Sequence, residues 1–138
     1  MENDYQVLKF VEAKTSRMYL LDNNILLIEE QPGFHVTLEL AMENIKFANQ
    51  ISEGKNCGLL VDSRKMKGMT KEARDLYARK DSMPCIMAMA ILINSPFTKI
   101  MANFFLAFSK PEFPTCIFTS KEEAIRWLKT YLTKTPEL

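Results

Sequence analysis

Polar side chains of the kinds that bind anions or accept phosphate follow the hydrophobic segments in the second half of the chain. In open α/β sheets, the carboxyl ends of the strands and the amino ends of the following helices meet at one edge, where ligands bind. We therefore predict a candidate binding edge. Its members are Asp62, Ser63, Thr70, Asn94, Ser95, Thr119 and Ser120.

Most of these side chains also have a structural interpretation. Thr70, Ser95 and Ser120 precede predicted helices, and their hydroxyls are suited to capping them. Asp62 and Asn94 follow apolar segments, and their polar groups can tie the loops that come next. The sequence leaves both interpretations open.

The segment from Arg64 to Lys80 is strongly basic. Its seven Lys and Arg residues against Glu72 and Asp75 give 7 − 2 = +5, in a chain whose net charge is +1. Such a segment can hold an acidic partner or a phosphate group, or be only a solvated surface. The near-neutral chain as a whole predicts no nucleic-acid partner. The basic residues are Arg64, Lys65, Lys67, Lys71, Arg74, Arg79 and Lys80.

Catalytic and metal-binding patterns are missing from the sequence. His35 is the only histidine and falls in a predicted loop, and Cys57, Cys85 and Cys116 are far apart and lie in predicted strands. No glycine-rich phosphate loop, serine nucleophile motif or paired-histidine motif occurs. We predict a protein that is not an enzyme, with no cofactor and no metal.

An apolar stripe marks the helix predicted after Pro96. Its members follow the spacing of one helix face, which we expect to point into the core: Phe97, Ile100, Met101, Phe104, Phe105 and Phe108. Ala102, Leu106 and Ala107 would then lie on the reverse face. This exposed apolar face predicts a homodimer, unless residues 5–11 fold over it.

The same region offers an alternative use for its apolar side chains. Nine methionines and nine phenylalanines are many for 138 residues, and flexible Met side chains suit an adaptable pocket. The candidates for an apolar pocket or an interface are Met101, Ala102, Phe105 and Leu106.

Hydrophobic periodicity places these residues on a regular series of elements. Strands are predicted at 7–11, 18–21, 25–30, 57–62, 85–93 and 115–118, and helices at 38–53, 70–81, from 96 and from 121. Thr37 is an expected N-cap, and Ser120 with Glu123 matches a capping box. The order predicts one α/β domain over residues 1–138, in which a mixed sheet begins with an antiparallel hairpin, continues with parallel strands and is packed by about four helices.

Several segments together resemble the STAS-like (SpoIIAA-like) superfamily, which includes anti-sigma factor antagonists and uncharacterised bacterial STAS-like proteins. They are the opening hairpin, "LLVDSRKMKGMTKEAR", "CIMAMAILI" and "IFTSKEEAIRWL". In the antagonists, a serine in an Asp-Ser-Ser-Gly loop is phosphorylated. Here Thr70 matches the Asp of that motif and Lys71 its phospho-acceptor serine, so the resemblance implies the fold without the phosphoswitch.

The sequence therefore supports two hypotheses. The first is a cytoplasmic STAS-like regulatory module that acts through a protein partner, and the second is a carrier or sensor of a small apolar or lipid-like ligand. The cytoplasmic location rests on the acidic amino terminus, which does not resemble a signal peptide. The longest apolar run has about nine residues, against about 20 for a membrane-spanning helix.

Overall fold

The computed structural model describes residues 5–132, which form eight strands and four helices. The strands are β1 (Val7–Glu12), β2 (Ser16–Leu21), β3 (Ile25–Glu30), β4 (His35–Val36), β5 (Cys57–Asp62), β6 (Gly68–Met69), β7 (Ile86–Leu92) and β8 (Thr115–Phe118). The helices are α1 (Leu38–Ser52), α2 (Lys71–Ala78), α3 (Pro96–Phe104) and α4 (Lys121–Leu132).

Six of the strands form one mixed sheet in the order β1-β2-β3-β5-β7-β8. The pairs β1/β2 and β2/β3 are antiparallel, and the three later pairs are parallel. The turn between β2 and β3 uses Asn24 at a φ of 65°, a conformation that Asn tolerates. The predicted fold class and the order of the main elements are confirmed.

Each face of the sheet is covered by helices, because the central strands are apolar on both sides. Leu59 of β5 belongs to the cluster beneath α1, α2 and α3, whereas its neighbour Leu60 packs with Leu128 of α4. Gly58 allows α4 to approach closely, since a Cβ there would lie 3.2 Å from Leu128 Cδ2. Within the described residues, no helix is long and apolar enough to cross a membrane.

The predicted N-caps begin their helices. Thr37 accepts a hydrogen bond from Leu40 N, Thr70 from Ala73 N and Ser95 from Thr98 N. Ser120 accepts one from Glu123 N, but within residues 5–132 the Glu123 side chain accepts no hydrogen bond from the backbone N–H of Ser120. The capping box expected from Ser120 and Glu123 is therefore incomplete, and Ser95 with Thr98 forms a complete one instead.

Helix α3 continues into a π-helical turn, Phe105–Ser109, and this extended helix turns most of the predicted core-facing stripe outward. Phe105 is buried as predicted, but the other buried residues are Thr98 and Ala102, and Leu106, which was expected on the reverse face, packs partly against the same core. The outward stripe is Phe97, Ile100, Phe104 and Phe108, which are 53%, 58%, 49% and 66% exposed. Both stripes are apolar, and the smaller side chains of Thr98 and Ala102 face the sheet. Periodicity alone favoured the bulkier stripe.

Three further expectations need correction. His35 does not lie in a loop, because it starts β4, which pairs with β6 as a short parallel ladder. Helix α2 ends at Ala78, and a separate 3-10 turn spans Lys80–Ser82. Residues 5–11 do not cover α3, since β1 is the edge strand beside β2 and packs against α1.

Thr70→Ala should lower the free energy of unfolding by about 0.5–2 kcal/mol, because it removes the cap on Ala73 N. Thr119→Ala is a matched control, since Thr119 is exposed, and should change stability by less than about 0.5 kcal/mol. Urea unfolding of both variants tests this. Equal stabilities would show that the Thr70 hydroxyl does not cap α2.

Candidate functional site

A cavity of about 420 Å³ lies between the sheet and helix α3. Its floor consists of side chains from β3, β5 and β7, and its roof of side chains from α3. Most of the lining is apolar, and it includes four of the nine methionines: Met66, Met69, Met89 and Met101. This size falls in the range of pockets that bind small molecules.

Glu30 places a carboxyl group at the wall of this apolar cavity. The residue is only 7% exposed, and its carboxyl oxygens have no hydrogen-bond partner among residues 5–132. Burial, followed by the nearby negative charge of Asp62, raises the pKa of Glu30 to about 8. The carboxyl group is therefore mostly neutral near pH 7. Its O–H can donate a hydrogen bond to a bound molecule, and its C=O can accept one.

Helix α2 contributes two further polar groups to the cavity. Arg74 and Tyr77 lie three residues apart, so they share one face of the helix. Tyr77 accepts a hydrogen bond from Asn44 Nδ2 at 3.1 Å. Burial and the charge of Glu30 raise the pKa of Tyr77, so its hydroxyl keeps its proton and can donate.

The side chain of Arg74 is held in place, but not all of its N–H groups have a hydrogen-bond acceptor in the described part of the chain. Its Nη1 donates to Met69 O at 3.4 Å, and its guanidinium carbon lies 6.0 Å from the centre of the Phe104 ring. Its Nε is buried and has no hydrogen-bond partner in the described part of the chain. A buried N–H without an acceptor is costly, so this group marks a place for an acceptor.

The outward stripe of α3 borders the cavity. Phe97, Ile100 and Phe104 line it and are each about half exposed to solvent. The cavity is therefore open at α3, and its opening is ringed by large apolar side chains.

A second cavity, of about 370 Å³, is polar and lies beyond the carboxyl ends of β3 and β5. Asp62 accepts hydrogen bonds from Arg64 Nε at 2.9 Å and Arg64 Nη2 at 2.8 Å. Burial opposes ionisation of Asp62, but the bonds and charge of Arg64 outweigh it, so the pKa of Asp62 lies below its ordinary value. Asp62 and Arg64 satisfy each other within the loop.

The predicted site residues do not form one group. Asp62, Arg64 and Asn94 line the polar cavity. A second set lines the apolar cavity, namely Ser63, Lys67, Arg74, Met101, Ala102 and Phe105. Thr70, Lys71, Ser95 and Leu106 line neither of the two.

Ser63 and Lys71 have structural partners. Ser63 is 2% exposed and donates its hydroxyl to Leu92 O at 2.8 Å. Lys71 is exposed and pairs with Asp75 at 2.7 Å. Ser63 therefore ties its loop to β7, and Lys71 forms a surface ion pair within α2.

Much of the basic segment is locally neutralised. Arg64, Lys71 and Arg79 each pair with an aspartate, and Lys80 Nζ donates to Ile86 O at 2.6 Å. Lys65, Lys67 and Arg74 have no carboxylate within pairing distance among residues 5–132. Two of these three, Lys67 and Arg74, line the apolar cavity.

The cysteines do not contribute to either cavity. Cys57 and Cys85 are buried and unoxidised, and the backbone N–H of Cys57 donates to Cys85 O at 3.0 Å. Ser52 Oγ lies 3.3 Å from Cys85 Sγ. Within the described residues, no group of three or more His, Cys, Asp or Glu side chains could hold a metal ion.

Glu30 was missed by the sequence analysis, although a signal for it exists. In "ILLIEE", Leu26, Ile28 and Glu30 alternate onto the same face of β3, so Glu30 continues a core-facing row. Tyr77 was not among the predicted site residues, and its position in the cavity wall depends on a hydrogen bond from Asn44, which is distant in sequence.

The free energy of unfolding of the wild type should fall as pH rises, and that of Glu30→Gln should fall less. The folded-state pKa of about 8 lies above the ordinary value of 4.5, so the contribution of protonated Glu30 is complete below the lower value and is lost as pH rises through the higher one. The slope between them is about 1.4 kcal/mol per pH unit. Urea unfolding between about pH 5 and about pH 9 measures it.

Glu29→Gln is the matched control, because the neighbouring side chain lies on the other face of β3 and hydrogen-bonds to Tyr19. This variant should retain the wild-type fall in stability with pH. If Glu30→Gln retains it as well, Glu30 is ionised in the folded protein.

A comparison with a solved structure agrees with the fold. An uncharacterised protein of the DUF3478 family from Shewanella loihica PV-4, described as having a SpoIIAA-like fold, is similar over 93% of this chain and 98% of its own. Its sequence identity is 14% and its TM-score 0.54. A protein of unknown function from Arthrobacter sp. FB24 is 29% identical over 80% of this chain and 96% of its own, with a TM-score of 0.33.

The resemblance to the STAS-like superfamily is confirmed at the level of the fold. No curated protein matches the sequence significantly. A family model described as a domain of unknown function, DUF7793, matches residues 19–132. Because this region covers most of the chain, the protein belongs to the DUF7793 family.

Proposed function

We propose that this STAS-like domain is a non-enzymatic module that binds a small apolar ligand in the cavity between the sheet and α3. The observation that carries the proposal is the cavity itself, about 420 Å³ with a mainly apolar lining and an opening at α3. An open groove lined by large apolar side chains is typical of a ligand-binding site. A bound apolar molecule would fill it and cover the half-exposed Phe97, Ile100 and Phe104.

A regulatory role would follow from this binding without the family's phosphorylation switch. Thr70 is engaged as the cap of α2, Ser63 is buried, and lysine at position 71 cannot accept the phosphate. These features argue against a phosphorylation switch, and we propose instead that ligand binding controls contact with a partner in the cytoplasm. Stoichiometric phosphorylation of Ser63 or Thr70 in cells, with altered partner binding, would contradict this part of the proposal.

Self-association is a second candidate function, and the outward stripe of α3 favours it. Phe97, Ile100, Phe104 and Phe108 form a continuous apolar surface, and such surfaces on monomers usually mark a binding site. A two-fold homodimer would bury the stripe against its copy. The contact surface proposed here is this stripe and not the face that bears Ala102 and Leu106.

Ligand binding can be tested with a neutral fluorescent probe, N-phenyl-1-naphthylamine, and by native mass spectrometry of the purified protein. The probe should bind the wild type, and Val61→Phe should weaken it at least about tenfold by filling the cavity that Val61 lines. Val7→Phe is the matched control, since Val7 lies exposed on the edge strand β1. Equal affinity in both variants, or no binding to the wild type, would contradict the proposal.

Self-association can be tested by light scattering at micromolar concentration. Phe108→Glu should shift a dimer towards monomer without loss of stability, because Phe108 is 66% exposed. Leu106→Glu should instead destabilise the fold by about 1–3 kcal/mol, because it places a charge against the core that Leu106 packs on. A wild-type protein that is strictly monomeric would contradict the dimer.

A further inference from the structure

We propose that the ligand of this cavity is a small amphipathic acid, whose apolar body lies between the sheet and α3 and whose carboxylate is bound by Arg74. This inference rests on the proposed ligand binding and adds the chemical class of the ligand. It is carried by Arg74 Nε, a buried atom in the cavity lining that has no hydrogen-bond partner within residues 5–132, and by the buried residue Glu30 in the same lining.

Arg74 is the group that selects an anion. Its Nε–H is buried and unpaired, and its guanidinium has no carboxylate partner among residues 5–132. The contacts with Met69 O and the Phe104 ring fix the orientation of the side chain. A guanidinium held in this way offers a planar set of donors that fits a carboxylate.

Glu30 argues against a cationic ligand. An ammonium group would need Glu30 ionised, which burial disfavours and the nearby negative charge of Asp62 disfavours further. It would also share the cavity with Arg74 and with Lys67. In its neutral form, Glu30 instead provides a hydrogen-bond donor, which an oxyanion can accept.

The charges around the cavity favour the same choice. Glu30 on β3 lies near Asp62 on β5, and Asp62 forms an ion pair with Arg64 at 2.8 Å. Lys67 and Arg74, which line the cavity, have no carboxylate partners within the described residues. The positive charge left over near the cavity is therefore complementary to an anionic ligand.

The apolar lining limits the rest of the ligand. Side chains such as Ile28, Leu59 and Ile91 form the floor of the cavity, and a second charged group placed there would lose its hydration without gaining a partner. The ligand therefore has a single anionic group on a hydrocarbon or aromatic body.

Calorimetric titration with three eight-carbon probes, octanoate, octanol and octylammonium, tests this inference. Octanoate should bind the wild type at least about tenfold more tightly than either of the others, as expected for a buried charge-assisted hydrogen bond. Arg74→Met should bring octanoate to within about threefold of octanol. Lys71→Met, on the exposed side of the same helix, should retain the full preference.

A second measurement on the wild type does not depend on the stability of any variant. Octanoate should shift the NMR resonance of the Arg74 Nε–H, whereas octanol should leave it nearly unchanged. Octanol or octylammonium binding as tightly as octanoate would overturn the amphipathic acid while leaving an apolar cavity ligand in place. If none of the three probes binds, the proposed function fails together with this inference.

Discussion

The contact of helix α3 with the sheet determines where the apolar cavity lies and which side chains border it. The helix approaches the sheet through Thr98 and Ala102, which are small and buried, and through Phe105. Thr98 is held by reciprocal hydrogen bonds with Ser95, each 3.1 Å long. Because the bulky side chains Phe97, Ile100 and Phe104 point away from this contact, they border the cavity and do not fill it.

This packing places the buried residue Glu30 at the wall of the cavity, where its carboxyl can bind a ligand. A buried, unpaired carboxylate costs several kcal/mol, and the folded chain avoids part of that cost by keeping the group protonated, as its raised pKa of about 8 indicates. Leucine at the same position of β3 would pack without this penalty. Polar groups without partners in a packed domain are typical of functional sites, and this cavity contains two, Glu30 and Arg74.

The elements that depend on local physics were predictable from the sequence. Strands β3, β5 and β8 begin and end at the expected residues, because short apolar runs between turn residues have few alternatives. The caps of α1, α2 and α3 were also readable from Thr37, Thr70 and Ser95.

The site depended on contacts that are distant in sequence. Both faces of α3 are apolar, so periodicity could not show that the bulky stripe faces outward. Nothing local to Arg74 indicates that its Nε lacks an acceptor, since Lys71 and Arg79 on the same basic segment pair with aspartates. Glu30 could have been recognised from its alternation with Leu26 and Ile28. Its surroundings in the cavity wall, however, depend on Tyr77 and Asp62, which belong to other elements.

The central claim is that the space between the sheet and α3 is a ligand-binding cavity, and methyl NMR of protein labelled at its methionines tests it most directly. Four methionine methyls belong to residues that line the cavity, namely Met66, Met69, Met89 and Met101. Met18, Met42, Met83 and Met87 lie elsewhere and serve as internal controls. On addition of octanoate, the account predicts shifts in the first four resonances and little change in the controls. Shifts spread evenly over both groups, or confined to the controls, would contradict it.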